Sequence, residues 1–134
     1  MVDAFDADVL IYAAVPGHPL GARVLALLRE DPERPAGVGS TLLLPEILAK
    51  PLREGARDEL HALAAILGRV ELRALDQASA QLAVALGATH RLNAADAAHL
   101  ATAVVAGADR FLTNNRRDFR QTIAEVAITY PDEL

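Results

Sequence analysis

The chain has 134 residues, a net charge of −5 and no cysteine. That length suits one domain with a real core, and the missing thiols exclude disulfides, zinc–thiolate centres and cysteine nucleophiles. The acidic balance argues against broad affinity for a nucleic-acid backbone, which rests on many Lys and Arg contacts, although a bound cation can invert the charge of a local site.

No basic segment precedes an apolar one near the start, so no signal peptide is expected. The most apolar stretch, Ala94 to Ala106, carries Asp96 and His99 and is too short to span a bilayer. The expectation is a cytoplasmic protein without membrane contact.

In chain order, Val2 with Ala4 and Phe5 forms a short strand ending at Asp6. Asp8 to Ala14 turns helical, and Leu20 to Leu28 spaces its leucines and Val24 as an amphipathic helix. Gly37 to Ser40 is a weak strand. The next helix starts near Leu42 to Leu44, because Pro45 is tolerated only in a first turn. It ends near Lys50, since the residue before Pro51 avoids the helical region.

Glu59 to Leu67 is helical, and Val70 to Arg73 alternates as a strand. Asp76 caps a helix that ends at Gly87. Asn93 opens another that ends at Gly107. Arg110 to Thr113 and Val126 to Thr129 are the last strands, with Asp118 placed to cap a last helix. Strands alternating with helices imply a parallel sheet covered on both faces. Chemistry in such sheets gathers at the carboxyl ends of the strands, where Asp6, Ser40 and Thr113 to Asn115 fall.

Several polar residues at these ends have both a functional and a structural explanation. Asp6 is a metal ligand at a strand tip, or Asp6 or Asp8 accepts the free amide hydrogens of the first helix; Asp8 is the favoured cap. Glu46 sits in the apolar run Leu42 to Leu48. It either meets a cation or faces solvent near a helix N-terminus. Asp96, three residues after Asn93, completes a variant capping box. Its side chain also leans toward the sheet's carboxyl edge.

His99, one turn on, is a packing residue or a partner of the acids. Thr113, Asn114 and Asn115 make either a turn or a polar site. Arg110, Arg116, Arg117 and Arg120 surround that loop and hold phosphates or decorate a solvated face. Crowded carboxylates repel unless a cation neutralises them, so their joint placement points to a hard divalent metal and phosphate chemistry.

The stretches carrying this pattern are Phe5-Asp6-Ala7-Asp8-Val9-Leu10-Ile11-Tyr12, Leu44-Pro45-Glu46-Ile47-Leu48, Asn93-Ala94-Ala95-Asp96-Ala97-Ala98-His99-Leu100-Ala101-Thr102-Ala103 with Gly107-Ala108-Asp109, and Phe111-Leu112-Thr113-Asn114-Asn115-Arg116-Arg117-Asp118-Phe119. Together they resemble a PIN-domain protein over nearly the whole chain. The short length is similar to the VapC-type toxins of toxin–antitoxin pairs.

The resemblance implies a single PIN domain over residues 1–134, built as a three-layer α/β/α sandwich with a central parallel sheet. It implies a homodimer, an RNA substrate, a cognate antitoxin and an endoribonuclease using Mg²⁺ or Mn²⁺. Carried over by position, Asp6, Glu46 and Asp96 are the catalytic, metal-binding acids. Asn115 falls where many members have Asp, with Asp118 nearby to help hold a metal. Thr113 and Asn114 are supporting residues, and Arg116 and Arg117 meet substrate phosphate.

Rival enzymes fail on lysine. Asp6-x-Asp8 after a strand also suits haloacid-dehalogenase-like phosphatases, but these and receiver domains need a lysine placed late, and Lys50 is the only one. The alternative from another class is a PIN-like module that binds RNA or protein without cutting, with Asn115 as its motive.

Overall fold

A computed structural model describes all of residues 1–134. Five short strands are the centre: β1 (Asp3–Phe5), β2 (Gly37–Ser40), β3 (Val70–Arg73), β4 (Arg110–Leu112) and β5 (Ala127–Thr129). They lie in the order β3-β2-β1-β4-β5, and every pairing is parallel. Six helices connect them: α1 (Ala7–Ala14), α2 (Pro19–Leu28), α3 (Leu43–Arg53), α4 (Arg57–Leu67), α5 (Gln77–His90) and α6 (Ala94–Val105).

Side chains alternate across the sheet, and each face has its own core. Phe5 and Leu112 point to one face, where they meet Val9, Leu10, Val24, Leu43, Ile47 and Leu63 of α1 to α4. Ala4, Val38 and Phe111 point to the other, against Leu86 of α5, Leu100 and Ala103 of α6, and Phe119, Ile123 and Ile128 from the C-terminal segment. The three-layer sandwich follows from these two apolar faces. No single helix is long and apolar enough to cross a membrane.

The strand order creates a switch point. The chain starts at β1 in the middle, winds outward through β2 and β3, then returns by α5 and α6 to lay β4 on the other side of β1. The crevice beyond the carboxyl ends of β1 and β4 is where such a sheet places its site. Asp6 N–H donates to the Leu112 carbonyl at 2.9 Å, and Thr113 N–H to that of Thr129 at 3.2 Å. The two loops therefore leave the sheet side by side.

Four sequence expectations need correction. The third helix does not stop at Lys50: α3 runs through Pro51 to Arg53. Pro51 is buried on the core side, and only two helical residues follow it, so packing outweighs the missing N–H. Nor does α5 end at Gly87. It continues to His90, and Gly87 is instead where Ala97 of α6 packs close to α5.

The cap of α5 is Arg91, at φ 58° and ψ 44°. A left-handed residue there is ordinarily Gly or Asn, and a larger side chain costs about 1–2 kcal/mol. Third, no helix starts at Asp118. Residues 116–119 form turns, and the only later helical piece is a 3₁₀ turn at Pro131–Glu133. Fourth, Arg110 does not join the loop that follows β4. It sits at the amino end of β4, clamped to Asp3 by two bonds of 2.8 and 2.9 Å.

Candidate metal and nucleic-acid site

Asp6 is the first residue beyond β1 and the N-cap of α1. Its extended backbone, φ −81° and ψ 163°, lets one carboxylate oxygen accept from the Ala7 N–H at 2.8 Å. The other accepts from the Thr113 hydroxyl at 2.7 Å. That hydroxyl in turn accepts from the Asn115 N–H at 3.1 Å. The carboxylate is buried, and burial raises its pKa, partly opposed by the Thr113 bond.

Asp8 is not the cap. Its two oxygens accept from its neighbour Val9 N–H at 2.7 Å and from Asn114 N–H at 2.9 Å. It thereby ties the first turn of α1 to the loop after β4. Burial and the nearby Asp6 charge push its carboxyl up to about 6. Asp8 is thus an acid of the site that the sequence reading assigned to capping alone. The signal was present in the Asp6-x-Asp8 spacing, but a loop-pinning contact over more than a hundred residues of chain is not visible locally.

Asp96 occupies the first turn of α6, whose cap is Asn93, accepting from Asp96 N–H at 2.8 Å. The Asp96 side chain makes no hydrogen bond. Burial, then the charges of Asp6 and Asp118, push it up to about 6. Glu46 enters from the first turn of α3 with its side chain about one-third exposed. One of its oxygens lies 2.9 Å from Nε2 of the buried His99. His99 is therefore a partner of the acids, not a bystander of α6, and its Nδ1 has no partner.

Asn115 and Asp118 face each other across a turn. The Asn115 amide nitrogen donates to Asp118 at 3.1 Å, and its oxygen accepts from the Asp118 N–H at 3.3 Å. The first of these bonds holds the Asp118 carboxyl below its ordinary value. Arg116 reaches away to Asp132 at 2.7 Å and lies over the Tyr130 ring at 4.3 Å. Arg117 extends into solvent, 3.4 Å from Asp118.

Acids from four distant parts of the chain thus share one edge of the sheet and feel one another's charge: Asp6 and Asp8 from α1, Glu46 from α3, Asp96 from α6 and Asp118 from the last loop. The donors are all oxygen, which suits Mg²⁺ or Mn²⁺ and not a soft metal. No three acid or imidazole groups converge closely enough to ligate one ion together. An ion held here would touch at most one or two of these carboxylates and keep most of its waters, a mode open to Mg²⁺.

The comparisons bear on the family and the fold. A family model described as the PIN domain matches residues 4–125. By structure the chain is similar to a protein of a toxin–antitoxin complex from Klebsiella pneumoniae, with a TM-score of 0.75, 23% identity and 98% of each chain covered. It is also similar to a chain of VapBC2 from Rickettsia felis, solved bound to a DNA fragment from its promoter, with a TM-score of 0.74 and 16% identity over 97% of this chain and 98% of that one. At such identities the likeness establishes the fold alone. No curated protein matches by sequence. With the family model spanning nearly the whole chain, and the acids gathered at the switch point of its parallel sheet, this protein belongs to the PIN domain family.

Proposed function

We propose that this PIN domain is a Mg²⁺- or Mn²⁺-dependent endoribonuclease and the toxin of a toxin–antitoxin pair. PIN domains are generally nucleases. The observation that carries the reading is the set of mutually repelling carboxylates at the β1–β4 crevice, Asp6 buried and Asp8 and Asp96 half-buried. Two of them sit near pKa 6, a state that a divalent cation relieves.

Asp6 and Asp96 would hold the cation, with Glu46 completing the site or orienting water. A bound Mg²⁺ or Mn²⁺ supplies Lewis-acid polarisation of a phosphoryl oxygen and a water of lowered pKa. The chain supplies position. Thr113 and the Ala7 N–H fix both oxygens of Asp6. His99 holds Glu46, and Asp8 fixes the loop that carries Asn115. The Asp96 side chain, with no hydrogen bond of its own, is free to turn toward the ion.

The antitoxin of such a pair would cover the acidic crevice, presenting a cation such as an Arg to it. The active form would be a cytoplasmic homodimer, which the mass of the purified protein in solution checks. Incubating the protein with a mixed tRNA and rRNA pool should give discrete fragments with Mn²⁺ or Mg²⁺ and none with a chelator.

A second reading is a PIN-like module that binds RNA or protein without cutting. One observation favours it: Asn115 is neutral where the family resemblance implies an Asp, and its amide oxygen already accepts from the Asp118 N–H. Divalent cations separate the two readings. Stabilisation by Mn²⁺ with RNA cleavage supports the nuclease, whereas intact RNA and no thermal shift support the inert module.

A further inference from the structure

Adjoining the acidic crevice, and sharing Asp118 with it, lies a pocket of opposite character. It is a cavity of about 400 Å³ between the end of α5 and the loop after β4, lined by Thr89, Arg91, Arg117, Arg120 and Thr122, with Asp118 on one wall. Asp118 also lies within Coulombic reach of Asp96, so this pocket adjoins the acidic site. His90 faces the cavity too, but its Nε2 is held by Glu125 at 2.8 Å.

Arg91 and Arg120 are exposed, and neither side chain makes a hydrogen bond or ion pair within the chain. Two unpaired guanidinium groups, Arg91 and Arg120, and two hydroxyls around one hollow form a donor set for phosphate oxygens, with Arg117 at its rim beside Asp118. The backbone adds an independent point. Arg91 is the only non-glycine residue with a positive φ. Glycine would fit that helix end with less strain, yet the chain places there a long cation that opens onto the pocket.

We propose that this pocket seats an RNA backbone phosphate neighbouring the one at the acidic crevice, so that the strand bends across Asp118. The proposal rests on the ribonuclease reading for its ligand, but it is tested by binding, not by cutting. Asp118 repels the strand unless a cation sits beside it, which orders the two sites: metal at the acids, phosphate at the arginines.

The test uses the full chain with all its acids intact, in Ca²⁺ in place of Mg²⁺, a hard cation that takes the same oxygen ligands, with a gel confirming that the RNA stays uncut. The probe is a short fluorescein-labelled single-stranded RNA of mixed sequence, followed by anisotropy over a salt series. Arg91→Gly with Arg120→Ala should weaken binding about tenfold and flatten the salt slope by about 0.7, as one lost phosphate contact on a single strand requires. The melting temperature should hold or rise, because glycine suits the left-handed cap, so misfolding cannot account for the loss. Arg53→Ala with Arg57→Ala on the opposite helical layer removes the same charge and should leave affinity near the starting value.

Equal loss in both pairs, or no loss at the pocket, overturns the proposal. If inorganic phosphate alone stabilises the parent protein through these arginines while RNA affinity is indifferent to them, the pocket is a small-anion site and the proposal fails. Absence of any RNA binding by the parent overturns it together with the ribonuclease reading. RNA binding that ignores the pocket variants overturns the pocket alone.

Discussion

Asp96 is the acid on which the electrostatics can be tested most cleanly, because its side chain makes no hydrogen bond that a substitution would break. Its carboxyl is raised from an ordinary 3.8 to about 6 by burial and by Asp6 and Asp118. The folded protein therefore binds more protons than the unfolded chain between those values. Without metal, the stabilisation from this group is full below about pH 4 and is lost as pH rises through about 6. Asp8 has the same sign.

Asp96→Asn should then raise metal-free stability at pH 7. One pKa unit is about 1.4 kcal/mol, and partial exposure of Asp96 discounts it, leaving a gain on the order of 1 kcal/mol, or roughly 3–5 °C in melting temperature. Thermal scans of both proteins at pH 5 and pH 7.5 check this: the difference should be confined to the higher pH, and Mn²⁺ should stabilise only the parent there.

His99 and Glu46 make a second residue-scale prediction. His99→Leu keeps the buried volume of α6 and removes an imidazole nitrogen that has no partner. Glu46 is exposed enough to rehydrate, so stability should change by less than about 1 kcal/mol. Glu46 loses its anchor, however, and the Mn²⁺ concentration for half-maximal cleavage should rise severalfold. Asn115→Asp should act the other way, tightening Mn²⁺ binding in calorimetry if position 115 touches the ion.

Much of the site was legible because it coincides with element ends. Asp6 sits where a helix start demands an acceptor and Asp96 in the first turn that Asn93 caps, although its own side chain does not complete the expected capping box; the sheet brings such positions together. The roles of Asp8 and His99 are not legible locally, because their partners, Asn114 and Glu46, are more than fifty residues away and only the folded chain sets those distances.

At the scale of elements, α1 and α2 depend on a close approach that only glycine allows. A Cβ at position 21 would collide with the Tyr12 carbonyl. Gly21→Ala should cost about 1–3 kcal/mol through the forced separation of the two helices, measured by denaturant unfolding. Because α1 begins at Asp6, the same variant should also weaken Mn²⁺ affinity. The strands were readable from their short apolar runs and the helix starts from Asp76 and Asn93. Helix ends were less so. Pro51 and Gly87 carry local stop signals that tertiary packing overrides, and Arg91 ends α5 in a conformation that no local pattern would assign to arginine.

At the scale of the molecule, an acidic chain holds two adjoining sites of opposite sign. The carboxylates at the β1–β4 crevice call for a cation, and the arginines behind Asp118 offer donors to an anion. The net charge of −5 suppresses diffuse attraction to RNA, so under the proposed function contact with RNA would be local and metal-dependent. Cleavage is the most direct test of the metal-dependent nuclease. The parent protein and Asp6→Asn, purified in parallel, should be given single-stranded RNA with Mn²⁺ and with chelator. The prediction is cleavage by the parent in Mn²⁺ alone, with at least a hundredfold loss in Asp6→Asn on the order expected for a removed metal ligand. Equal cleavage by both proteins, or cleavage that survives the chelator, would contradict it.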